Sequence, residues 1–126
     1  MRLTAQISSA TVARGQVATI TFRLENVESD SVNLTFNSGC QILPYIMERS
    51  ANRIVYPQSG DWVCTAVLTQ ISLRPGAVEL REVRVRASDT PGDADAALPP
   101  GDYQTFARLD DTRFRLQSNT VSFTLQ

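Results

Sequence analysis

The chain has 126 residues, of which 42% are apolar and 20% charged, and a formal net charge of −1; that is enough for one globular domain with one core. Such a balance exerts no long-range pull on nucleic acid, and no apolar run is long enough to cross a bilayer. All 12 basic residues are arginine and histidine is absent, which removes the commonest general base and metal ligand.

Period-two alternation dominates the chain, and no segment carries a helical stripe. Leu3, Ala5 and Ile7 alternate with Arg2, Thr4 and Gln6 in a short first strand. Ala18, Ile20, Phe22 and Leu24 repeat the pattern, and Val32, Leu34 and Phe36 follow after the polar turn at Glu28 to Ser31. Gln41 to Arg49 and Arg53 to Tyr56 form a hairpin around Ser50-Ala51-Asn52, where asparagine tolerates a positive φ. Trp62 to Leu73 reads as one longer extended run, closed by the turn Arg74-Pro75-Gly76.

The next strand changes phase. Val78 and Leu80 share one parity, Val83 and Val85 the other, so one extra residue near Arg81-Glu82 predicts a β-bulge that turns all four towards the core. Ser88 to Pro100 has no apolar period and reads as an exposed loop. Tyr103, Thr105, Ala107 and Leu109 then alternate, followed by Phe114 and Leu116, and by Val121, Phe123 and Leu125. About seven to nine short one-sided strands must bury those sides against one another. The expected fold is all-β: an immunoglobulin-like antiparallel β-sandwich occupying residues 1–126 as a single domain.

Cys40 and Cys64 are the only cysteines. A zinc site lacks ligands without histidine, a redox pair is usually spaced C-x-x-C, and a catalytic thiol needs a base. Two independent buried thiols remain an alternative. The favoured reading is a Cys40–Cys64 disulfide that stabilises the fold by roughly 3–4 kcal/mol. A disulfide implies an oxidising compartment, so the expected location is periplasmic, cell-envelope or secreted, with a leader missing from this chain and the cytoplasm as the lesser alternative.

Neither G-x-S-x-G nor a phosphate-binding loop nor a dinucleotide fingerprint occurs. Asp89, Asp93 and Asp95, like Asp110-Asp111, read as solvated acidic turns, because their spacing does not match a calcium loop. Asn33-Leu34-Thr35 fits a glycosylation triplet but lies mid-strand. With the bulge, Arg81, Arg84 and Arg86 form one solvent-facing ridge, the candidate partner-binding residues, since arginine grips acidic groups bidentately. The plainer role of such a ridge is to guard an exposed strand. Trp62 is expected to pack beside the cystine, and the Tyr103 hydroxyl to fold back onto upstream backbone as in a tyrosine corner.

Three stretches, VNLTFNSGCQ (Val32 to Gln41), AVLTQISLRPG (Ala66 to Gly76) and LPPGDYQTFARL (Leu98 to Leu109), together resemble the BsuPI-type intracellular proteinase inhibitor domain over roughly residues 17–125. The resemblance implies a non-enzymatic module that binds a protein, such as a serine protease blocked by an inserted loop, and needs no cofactor or metal. The loops considered are Ser50 to Asn52, Gln58 to Asp61 and Ser88 to Gly101. The alternative is a structural module of the cell envelope or of an extracellular filament, joining like subunits through strand edges. Neither reading involves nucleic acid or a membrane span.

Overall fold

Alternating apolar residues become strands because each strand shields one face only when it packs against another sheet. The computed structural model describes residues 1–90, 95–111 and 113–126. Among them it contains β1 (Arg2–Ile7), β2 (Thr11–Val12), β3 (Val17–Glu25), β4 (Val32–Phe36), β5 (Ile42–Glu48) and β6 (Arg53–Tyr56). The second half supplies β7 (Thr69–Leu73), β8 (Val78–Ala87), β9 (Ala96–Leu98), β10 (Gly101–Leu109) and β11 (Val121–Leu125).

The strands form a four-stranded sheet, β1-β3-β8-β9, a five-stranded sheet, β2-β11-β10-β5-β6, and a two-stranded ribbon, β4-β7. One core unites all three. Phe22 and Leu24 of β3 and Val85 of β8 share it with Tyr103 and Ala107 of β10, Phe123 and Leu125 of β11, and Leu34 and Phe36 of the ribbon. The architecture is the expected immunoglobulin-like sandwich. Truncating a side chain as buried as Phe22 costs about 3–5 kcal/mol.

The strand count is eleven among the described residues, above the seven to nine expected. Two strands that sequence reading does not find are β2 and β9, of two and three residues. Both pair in parallel, β2 with the distant β11 and β9 with β8, the strand just before it in the chain, and neither is long enough to show a period. β9 also corrects the exposed-loop reading of Ser88 to Pro100: Ala96, Ala97 and Leu98 are all buried. The 91–94 part of that reading, with Asp93, lies outside the described residues.

The bulge near Arg81-Glu82 is absent. β3 and β8 pair without interruption from Val17↔Arg86 to Glu25↔Val78, so strict alternation decides which side chains face inward. Val83 and Val85 are buried, whereas Leu80 is 49% exposed and Val78 also faces solvent. The inward parity near that end belongs to Glu79 and Arg81, which satisfy each other at 2.6 Å and need no apolar cover. The register shift lies instead between β5 and β6, at Ile46/Met47. Tyr103 forms the expected corner, its hydroxyl donating to the Pro99 carbonyl at 2.5 Å.

Candidate functional site

Between Tyr56 and Thr69 the chain leaves both sheets and forms an irregular loop where one long extended run was expected. Gly60 starts it. Its φ of 90° suits glycine, and its N–H donates to the Pro57 carbonyl at 2.9 Å. The Asp61 carboxylate next accepts from the Trp62 N–H at 2.8 Å and from the Tyr45 hydroxyl at 3.1 Å. Burial, and then that bond to Asp61, push the Tyr45 phenol above its ordinary pKa. The Trp62 indole N–H donates to the Pro44 carbonyl at 2.8 Å, and its ring meets Tyr56 edge-on at 5.5 Å. Trp62 is therefore the half-buried base of the loop, rather than a residue of the core.

The far side is held as firmly. Cys64 is joined to Cys40, with Cα atoms 5.4 Å apart, so the bridge ties an exposed loop to the start of β5. One residue on, the Thr65 carbonyl accepts from the Gly39 N–H at 3.0 Å. A Cβ on Gly39 would meet Thr65 Oγ1, so a larger residue there needs the Thr65 hydroxyl to turn away. Thr69 closes the loop by donating to the Ser38 carbonyl at 2.7 Å.

Val63 stands between the two sets of anchors. Its side chain is 93% exposed, and Leu68, at 74%, and Val67 project further along the same loop. Among the described residues Val63 makes no hydrogen bond. Single exposed apolar residues are ordinary, but three of them fall within residues 63–68 of one braced loop. A hollow of about 310 Å³ lies beneath, lined by Cys40, Gln41, Trp62, Cys64 and Arg81 among others.

The unbroken register of β8 divides the expected arginine ridge. Arg84 and Arg86 lie on the outer face of their sheet, 3.9 and 3.8 Å from the Asp95 carboxylate. Arg81 has the opposite parity and donates to Gln41 at 2.7 Å, so it alone of the three stands beside the loop. Ser50 instead lines a separate cleft of about 730 Å³ with Pro99 to Tyr103, and Gln58 to Asp61 does not line it. Asp111, expected to be solvated, is buried and accepts from the Arg113 N–H at 2.7 Å. Sequence reading missed Val63 because Trp62, Cys64 and Ala66 alternate as a strand would. The expected Gln58 to Asp61 loop is the first part of the observed one, and nothing in that alternation extends it to Leu68.

A family model described as "Intracellular proteinase inhibitor" (BsuPI) matches residues 5–113. No curated protein matches the chain. Among solved structures, a β-glucosidase, EmGH1 of Erythrobacter marinus, superposes with a TM-score of 0.53 and 15% identity. The alkylpurine DNA glycosylase AlkC of Pseudomonas fluorescens, bound to DNA containing an abasic site analog, gives 0.51 and 14%. They cover 98% and 99% of this chain, which in turn spans only 15% and 30% of theirs. At that identity the likeness is one of fold alone.

The family description also corrects the location. An intracellular family points to the cytoplasm, against the periplasmic, cell-envelope or secreted expectation drawn from the cysteines. Their pairing follows from how the fold places them, 5.4 Å apart at Cα, a distance within disulfide reach that does not by itself report a compartment.

Proposed function

The chain belongs to the BsuPI intracellular proteinase inhibitor family, and from that premise we propose that it is a non-enzymatic module that inhibits a serine proteinase by presenting the 57–68 loop to the active-site cleft. One observation carries the reading: the exposed apolar Val63 is held between Trp62 and the Cys40–Cys64 bridge, with exposed Val67 and Leu68 further along the same loop. A loop ordered before binding avoids much of the entropy cost that a flexible one pays on docking. Rigid inhibitors accordingly bind with little backbone movement. Of the three candidate arginines Arg81 stands beside the loop, and its ion pair with Glu79 would have to open for it to engage an acidic group on the partner's rim.

Inhibition titrations against a panel of serine proteinases test this. The purified chain should inhibit at least one member stoichiometrically. Replacing Val63, Val67 and Leu68 by Gly or Ser, with Cys64 and Thr65 kept, should abolish inhibition while preserving the fold. Full inhibition by the substituted chain would sink the proposal.

A further inference from the structure

We infer that Val63 fills the primary specificity pocket of the proteinase, that the target is therefore a serine proteinase accepting small β-branched aliphatic side chains, and that the Cys40–Cys64 bond clamps the chain across the bond under attack. This inference rests on the loop reading above.

The assignment to Val63 follows from its setting. It is the most exposed of the large apolar side chains, and anchors flank it immediately on both sides. Asp61 and Trp62 hold the chain before it, and Cys64 and Thr65 hold it after. Its own main chain is left to pair with a partner. Branching at Cβ leaves valine few rotamers to lose on insertion. A shallow apolar pocket fits that side chain, whereas a deep aromatic pocket would be underfilled, and a pocket bearing a charge would be desolvated without a counter-charge.

The disulfide gives the same residue a chemical consequence. When a serine hydroxyl of the proteinase adds to the Val63 carbonyl carbon, the Val63–Cys64 peptide bond breaks. The serine proton passes to the Cys64 nitrogen, which leaves as an amine, and Val63 remains as an ester on the serine. In an ordinary substrate that amine diffuses away and water hydrolyses the ester. Here the amine belongs to Cys64, which in the oxidised chain is tied through its sulfur to Cys40 in the body of the fold, so the clamp acts only while that bridge is formed. A tethered nucleophile has a high effective concentration, so it re-attacks the ester, restores the peptide bond and returns the proton to the serine. The complex persists instead of turning over.

The test uses three serine proteinases, one preferring Ala or Val, one Lys or Arg, and one aromatic residues, with the intact chain, V63K and C40S/C64S. The intact chain should inhibit the first. V63K, with an unchanged melting temperature, should lose that inhibition by about 100-fold and gain inhibition of the second. Prolonged incubation should expose a new N-terminus at Cys64, with fragments 1–63 and 64–126 parting in detergent only after reduction. C40S/C64S should inhibit transiently, with activity recovering as it is cleaved. Unchanged inhibition by V63K, or cleavage mapping elsewhere, would overturn the inference and leave the inhibitor reading standing. Inhibition of no proteinase by the intact chain would overturn both.

Discussion

A single amide side chain fastens two distant turns. Asn26 is fully buried, and its Nδ2 donates to the Asp30 and Leu73 carbonyls, each at 2.9 Å. Its Oδ1 accepts from the Glu28 N–H at 2.9 Å. Removing it strands the Leu73 carbonyl in the interior and leaves two part-buried groups, the Asp30 carbonyl and the Glu28 N–H, without this partner. Asn26→Ala should therefore cost about 2–3 kcal/mol, read as a lower urea midpoint with an unchanged m value. Asn26→Asp should be no better, because a carboxylate cannot donate to the two carbonyls. The role of Asn26 was not legible in the sequence, since it requires the end of β3 to lie beside the turn that follows β7. The role of Tyr103 was legible because its partner, Pro99, is four residues away. Tyr103→Phe should cost about 1 kcal/mol, the net worth of one hydrogen bond.

At the level of elements, long one-sided strands were readable and short or two-sided ones were not. The alternation of Ala18, Ile20, Phe22 and Leu24 gave β3 its inner face correctly. In β8 the same rule failed because it assumed that every valine and leucine faces inward, whereas exposure of some apolar residues is normal. Leu80→Asp should therefore be tolerated within about 0.5 kcal/mol, while Val83→Asp should prevent folding by burying an unpaired charge. Circular dichroism and thermal melts separate the two outcomes. The disulfide lies outside the strands, and the exposure of Cys64 means that C40S/C64S empties no core. Its cost should stay near the chain-entropy value of about 3 kcal/mol, with protease nicking appearing in the 57–68 loop of the variant.

For the molecule as a whole, ionisation limits stability from both ends of the pH scale. Hydrogen bonds from Arg2 and then Arg23 hold the Glu25 carboxyl below its ordinary value of 4.5. That contribution is present above pH 4.5 and is lost as the pH falls through the lowered value. Burial holds the Tyr45 and Tyr103 phenols above their ordinary 10.0. The unfolded chain ionises first as the pH rises past 10, so their contribution is present below that point and lost above it. The denaturation midpoint should form a plateau that declines on both sides, and Glu25→Gln should flatten the acid limb only. The uninterrupted ladder between β3 and β8 also sets a clock. Ile20 to Leu24 have partners on both sides, in β1 and in β8, so their amides should exchange with deuterium only when the whole molecule opens. The Val63 amide, without a partner among the described residues, should exchange as though unfolded even while its side chain stays in place. Slow exchange at Val63, appearing only when a proteinase is bound, would then register the docked loop directly, against a frame that has not changed its rate.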